Sequence, residues 1–303
     1  MSYYYIVNPA AGRGRIKNLQ DKLRSRLDEL GIRGEWAKTT GPGEASRMAK
    51  AAVTAGHTTV VAVGGDDTVN EVINGVNHTD TAVGIIPMGT TNRLAAQLGL
   101  ITWNQAAEAL AARRLTDYSL IAAGQNFFLS TLTLGFETDL DKAVDPAESG
   151  LRGRARQLAQ SFGTARKFGT LKCHIDVDNQ YSLTCEVFTL SVANQKFLNP
   201  LADNRLIVSL SDKPNQLNLG RMVWTTLRNP TANTNMQDQS TTRFLAKRVV
   251  IETDPPTGIM VDGKVATRTP VAIRLTDRRI RFITEKIVAD FKNAISEKPR
   301  NQL

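Results

Sequence analysis

Cysteine is almost missing from this sequence: Cys173 and Cys185 are the only two in 303 residues. That is too few for a disulfide framework or a zinc site. Long apolar runs are missing as well, none approaching the roughly 20 residues that span a bilayer as a helix. The opening residues, MSYYYIVNP, lack the basic flank and apolar segment of a signal peptide and read as a first strand. A cytoplasmic protein is expected. Two phosphate-binding signatures are also absent, since neither G-x-x-x-x-G-K-[ST] nor G-x-G-x-x-G occurs. Zinc-finger spacing and the aromatic RNP pattern are missing too, which argues against nucleic acid as a partner.

What the chain has in excess is positive charge, net +9 from 38 Lys and Arg against 29 Asp and Glu. Such a balance favours an anionic partner. Its densest basic stretch holds Arg152, Arg154, Arg156, Arg166, Lys167 and Lys172 with no acid between Leu151 and Lys172. An anionic phospholipid surface would suit it, and so would plain solvation of a charged face. The two cysteines flank a predicted hairpin with Asp178-Asn179-Gln180 as its loop. That register sets Cys173 opposite Cys185, Ile175 opposite Leu183 and Val177 opposite Tyr181, all six on one buried face. The cysteines are then packing residues rather than a redox pair.

The most informative stretch is 58–76, TTVVAVGGDDTVNEVINGV. A β-branched run stops at Gly64-Gly65; Val69, Val72, Ile73 and Val76 then follow at helical spacing. This is strand, glycine turn, helix, and a helix N-terminus behind bare backbone suits a phosphate. The same plan occurs twice more. A strand over 3–7 leads through Asn8-Pro9 and the Gly12 and Gly14 turn into a helix from Ile16 to Leu30. A strand over 82–87 leads through MGTTN, with Gly89, into a short helix over 93–98. A second strand over 34–38 and helices near 45–55 and 103–114 complete an α/β unit. In a parallel sheet the three glycine turns share one edge, where ligands bind.

From residue 116 to 282 the character changes to short β runs: 126–134, 172–177, 181–193, 206–210, 249–253, 271–275 and 279–283. Several alternate apolar and polar residues, the pattern of an antiparallel sheet with one wet face. A helical insert is expected near 151–168, a short helix near 222–227, loop over 229–242, and a helix at 287–295 that packs back on the body. The tail EKPRNQL is expected to be disordered.

Three motifs, NPAAG at 8–12, GGDDTVNEVINGV at 64–76 and PMGTTNRLA at 87–95, resemble the signatures of the diacylglycerol kinase catalytic family. Gly135-Phe136, residues 192–194 and VDGK at 261–264 extend the match in order along nearly the whole chain. The family includes bacterial soluble lipid kinases and sphingosine kinases, with NAD kinases and phosphofructokinases more distant. The resemblance implies an α/β plus all-β fold: a Rossmann-like nucleotide-binding domain (1–118), a β-sandwich substrate domain (119–284) and a C-terminal segment (285–303) returning to the body. It implies ATP in the cleft between them, contacted by Asn8, Pro9, Gly12, Thr39, Gly64, Gly65, Asp66, Asp67, Thr68, Asn70, Gly89 and Thr90. The activity implied is phosphotransfer to an alcohol, the γ-phosphate passing to a lipid hydroxyl at the inner face of a membrane, with Mg²⁺ neutralising phosphate charge. Asp66, Asp117 and Asp203 would be the metal ligands. A homodimer is left open.

The departures from the family pattern bear on catalysis. GGDGT reads GGDDT, with Asp67 in the glycine slot; aspartate tolerates left-handed backbone, so the turn is expected to survive. G-T-x-N-D ends in Arg93, D-D-G reads Asp203-Asn204-Arg205, and D-G-E, whose glutamate is the family's base, reads Asp262-Gly263-Lys264. A lysine, with an ordinary pKa near 10.4, is protonated at neutral pH and cannot accept a proton. Asp262 is the candidate substitute base, with Asp66 as a further catalytic acid. Three readings follow: a lipid kinase with a rearranged base, an impaired relative that binds nucleotide or phospholipid, and a kinase of a soluble acceptor.

Overall fold

The structure is a computed structural model that describes residues 2–77, 79–135, 169–199, 202–213, 241–261 and 264–285. The chain begins with β1 (Tyr3–Val7), α1 (Ile16–Glu29), β2 (Gly34–Lys38), α2 (Glu44–Thr54), β3 (Thr59–Gly64), α3 (Asp66–Val76), β4 (Ala82–Pro87), α4 (Arg93–Gln97) and α5 (Trp103–Ala112). The first four strands pair in parallel in the order β2-β1-β3-β4. β3 and β4 are buried at every residue, as strands covered by helices on both faces must be.

Next come β5 (Leu115–Ala123), β6 (Asn126–Phe128), β7 (Thr131–Gly135), β8 (Leu171–Val177), β9 (Tyr181–Val187), β10 (Thr189–Asn194) and the short α6 (Gln195–Leu198). They are followed by β11 (Leu206–Ser211), β12 (Thr241–Ala246), β13 (Arg248–Asp254), β14 (Gly258–Val261), β15 (Lys264–Arg268) and β16 (Val271–Ile283). Six of these form an antiparallel sheet in the order β12-β11-β10-β7-β14-β15. The others extend the parallel sheet into a ten-stranded one, through β16 to β13, β8 and β9, with β5 and β6 branching from β16. The two antiparallel layers share one apolar core, a sandwich.

The β5–β16 ribbon is the spine that joins the lobes. Near its C-terminal end β16 pairs in parallel with β4, and near its start it pairs with β13. Ile280, Phe282 and Ile283 pack with Tyr118 and Leu120 in the α/β core, whereas Val271 and Ile273 pack with Ile121 and Ala123 in the sandwich core. The inward face changes at an irregularity between Leu275 and Arg279, where Thr276 Oγ1 lies 3.1 Å from the carbonyls of both Leu120 and Arg278. β5 serves both cores without interruption, even-numbered Tyr118 and Leu120 on one face and odd-numbered Ile121 and Ala123 on the other, as period-2 alternation allows, while the bulge adds two residues to β16 opposite it.

Several sequence expectations need correction. The runs 126–134 and 181–193 are each two strands, because β6 and β9 lie in the first sheet and β7 and β10 in the second. The runs 271–275 and 279–283 are one bulged strand. β5, β14 and β15 were not expected, and β12 occupies the end of the segment read as loop. The cysteine hairpin has the anticipated register, Cys173 opposite Cys185, Ile175 opposite Leu183 and Val177 opposite Tyr181. Its face is buried only on β8: Tyr181 is 70% exposed, because β9 is the edge strand of its sheet. Both thiols are free, and burial pushes Cys173 up to about 12. The insert at 151–168, the helices at 222–227 and 287–295, Phe136 and the tail lie outside the described residues. No helix among the described residues is long and apolar enough to cross a membrane.

Candidate active site

The C-terminal ends of β1, β3 and β4 bring the three glycine turns into direct contact. Asn8 Nδ2, past the end of β1, donates to Thr68 Oγ1 in the first turn of α3 at 3.1 Å. Gly12 has φ +57°, and a Cβ there would come 2.1 Å from the Met88 carbonyl oxygen in the β4 turn. Gly65 and Gly89 stack backbone on backbone: a Cβ on Gly89 would lie 2.5 Å from Gly65 Cα. Only glycine permits these approaches. Thr39, buried at the end of β2, donates its amide to the Val7 carbonyl at 2.9 Å and so joins the same edge. Asn70 lies one turn into α3, and Thr90 is exposed at the crest of the β4 turn.

Most amides at this edge already have partners. Asn8 donates to Val63 O, Met88 to Gly64 O, Gly89 to Asn92 Oδ1, and Thr40 to Glu44. Thr40, first through its hydroxyl and then through its amide, holds the Glu44 carboxyl below its ordinary range. The N-terminus of α3 differs, since its N-cap is Gly65 and no side chain caps it. The N-terminus of α1, behind the Gly12 turn, likewise has no side-chain cap. These two helix ends carry the partial positive charge that attracts phosphate.

The structure gives Asp66 a different task from the one the family pattern implies. Its carboxylate is buried and accepts three hydrogen bonds: from Thr91 Oγ1 (3.0 Å), Arg93 N (2.9 Å) and Leu94 N (3.0 Å). It therefore caps α4, the helix after the β4 turn, from a neighbouring strand end. Asp67 lies in the helical first turn of α3 and is not among the positive-φ residues, so the glycine slot needs no left-handed backbone here. The left-handed residue is Asn92 (φ +49°), whose amide side chain closes the β4 turn on both Gly89 N and Gly89 O. Sequence reasoning missed Asn92 and Thr91. Their signal was the polar run between a strand and a helix, where capping side chains belong.

The acids expected to hold a metal are not brought together. Asp66 is committed to α4, Asp117 pairs with Arg281 at 3.3 Å, and Asp203 is exposed in the loop before β11. Beside Asp203, Asn204 donates to Ser119 Oγ at 3.0 Å. Among the described residues no group of three potential ligands is close enough to hold a metal ion. Asp66, Asp117 and Asp203 therefore form no cation site built from protein groups alone.

The sandwich reaches α3 through β6, near the C-terminal end of that helix. Asn74 of α3 exchanges two hydrogen bonds with the Phe127 backbone, donating to its carbonyl at 2.9 Å and accepting from its amide at 3.1 Å. The neighbouring Asn126 Nδ2 donates to Ala266 O of β15 at 3.1 Å. Lys264 opens β15 two residues earlier, opposite Val261. β15 is thus tied, through β6, to the helix that follows Gly64-Gly65. Asp262 itself, and the basic residues Arg152 to Lys167, lie outside the described residues.

A Rossmann-like sheet with a glycine-lined edge, continued through β5 and β16 into a β-sandwich, is the architecture shared by NAD kinases and diacylglycerol kinases. The comparisons agree. A diacylglycerol kinase from Bacillus anthracis str. Sterne has the same fold, with a TM-score of 0.70 at 18% identity over 95% of this chain and 98% of that one. An NAD kinase from Archaeoglobus fulgidus, solved in complex with ATP, gives a TM-score of 0.52 at 11% identity over 97% of both chains. In sequence, residues 2–123 match the diacylglycerol kinase catalytic domain. A diacylglycerol kinase of Bacillus subtilis (strain 168) is 36% identical over 97 residues, which are 31% of this chain and 32% of that protein. Over residues 2–123, then, this chain is similar to the catalytic domain of diacylglycerol kinases.

Proposed function

We propose that the chain is an ATP-dependent lipid kinase, transferring the γ-phosphate to a lipid hydroxyl. The observation that carries this reading is the contact of three glycine turns at one sheet edge, beside an α3 N-terminus that no side chain caps. The fold shared with an NAD kinase solved with ATP supports it. On this reading residues 1–118 hold the nucleotide, with Asn8, Pro9, Gly12, Thr39, Gly64, Gly65, Thr68, Asn70, Gly89 and Thr90 around its phosphates. Residues 119–284 present the lipid. The α3 and α1 N-termini offset phosphate charge, and the rigid Gly65–Gly89 contact fixes the phosphates for in-line attack. Asp262 takes the hydroxyl proton, and Lys264, cationic at neutral pH, can only neutralise charge.

A second reading is favoured by one observation. Two of the three acids of the expected metal set are spent, one on a helix cap and one on an arginine. A chain so arranged could bind nucleotide or phospholipid with little turnover. A single-turnover assay with γ-labelled ATP and a panel of diacylglycerol, sphingoid, phosphatidylglycerol and NAD acceptors separates the readings. Label in a lipid that Asp262→Asn abolishes supports the kinase with a substitute base. Label only after Lys264→Glu supports the impaired relative. Label on NAD but on no lipid would make the acceptor soluble, and no label with any variant would sink the kinase reading.

A further inference from the structure

We propose a second anion site, apart from the strand-end turns: a cleft in the sandwich lobe that takes a phosphate ester. The cleft has a volume of about 460 Å³ and is lined by Asp178, Asn179, Gln180, Arg205, Lys247 and Arg248. That volume is within the range of small-ligand sites. Three connections meet there: the β8–β9 loop, the residues just before β11 and the β12–β13 turn.

The cleft is braced. Asp178 and Asn179 both have left-handed backbone, φ +52° and +57°, which turns the β8–β9 loop sharply. Asp178 Oδ1 accepts from the amides of Lys247 and Arg248, each at 2.8 Å, and Asp178 N donates to Arg248 O at 2.9 Å. The one acid in the lining thereby spends an oxygen on backbone amides. Arg248 is oriented by Asn179, whose side-chain oxygen accepts from its Nη1.

The lining thus presents three cations against one acid. Just outside it, Arg274 on β16 lies directly opposite Arg248 on β13. Like charges directly opposed across two strands destabilise a sheet. None of these four cations makes an ion pair among the described residues. An anion in the cleft would relieve that repulsion, and guanidinium groups favour the oxygens of phosphate. The cleft lies apart from the strand-end turns: its β8–β9 loop follows β8, which is three strands from β4 and four from β3 in the ten-stranded sheet, or roughly 14–19 Å at ordinary strand spacing.

The test uses the full chain and two double variants. R205Q/K247Q removes two cations from the cleft, and K22Q/K50Q removes the same charge from exposed positions on α1 and α2. Each protein is titrated calorimetrically with inorganic phosphate, and sedimented with phosphatidylcholine vesicles with and without phosphatidylglycerol. The strand-end turns are unaltered in both variants, so binding there cancels in the comparison. The expected result is an affinity about tenfold lower for R205Q/K247Q on at least one probe, with K22Q/K50Q within about twofold of the native chain. A loss confined to inorganic phosphate identifies a free phosphate ester as the ligand. A loss confined to the phosphatidylglycerol vesicles identifies a lipid headgroup. Equal losses in the two variants, no loss in R205Q/K247Q, or no binding of either probe by the native chain would overturn the proposal.

Discussion

Replacing Asp66 separates a structural acid from a chemical one. In Asp66→Ala, Arg93 N and Leu94 N lose their partner at the N-terminus of α4, while the half-buried Thr91 hydroxyl can turn to water. Leaving a buried donor unsatisfied costs about 1–3 kcal/mol, so two such amides put the loss at about 2–6 kcal/mol. Loss of a helix cap alone costs about 1 kcal/mol, which sets the floor. Asp66→Asn keeps one acceptor oxygen but loses charge assistance, and should fall between, at about 1–2 kcal/mol. Urea unfolding followed by the fluorescence of Trp36 and Trp103, in a Trp224→Phe background, reads the α/β lobe. If Asp66→Ala unfolds at the native midpoint, the capping role is wrong and the carboxylate must be explained by ligand chemistry instead.

Three further outcomes follow from the same geometry. Gly12→Ala places a methyl 2.1 Å from Met88 O at a left-handed position and should abolish ADP binding in calorimetry, whereas Gly14→Ala, with φ +78° and no atom within 4 Å, should cost only about 1–2 kcal/mol and keep binding. Asp67→Gly removes a carboxylate from the first turn of α3 and should raise ADP affinity about threefold, an effect that shrinks as salt rises; it should also cost about 1 kcal/mol in thermal unfolding. Cys173 should resist iodoacetamide in the folded chain and react on unfolding, while the half-buried Cys185 reacts sooner. Because burial raises the folded Cys173 pKa to about 12, its contribution to stability is intact below its ordinary pKa and fades as pH climbs through the window up to 12.

Legibility in the sequence followed the locality of the physics. In the α/β lobe each strand, turn and helix is built from neighbours in the chain. The periodicity of Val69, Val72, Ile73 and Val76, and the glycines that end each strand, located β1 through α5 to within a residue or two. The cysteine hairpin was legible for the same reason, since loop length fixes register. What stayed hidden is decided by distant partners. The apolar runs through Leu129 and Phe188 gave no sign that the chain changes sheet there, because both residues remain buried. β5 and β16 could not be seen as one spine, since the bulge after Leu275 breaks the alternation that marks a strand.

At the site, residue types named the right edge but not the right roles. Asp66 follows two glycines and reads as a phosphate or metal acid, yet its three donors come from residues 25 to 28 positions later. Asp117 reads as a metal ligand until β5 is paired with β16, which brings Arg281 beside it. Neither fact has a local sequence signal.

The central claim is tested most directly by a crystal of this chain soaked with ADP. The account predicts the diphosphate against the turns at Gly12, Gly65 and Gly89, its oxygens facing the first turn of α3. ADP density elsewhere on the molecule, or an edge still bare at saturating nucleotide, would contradict it.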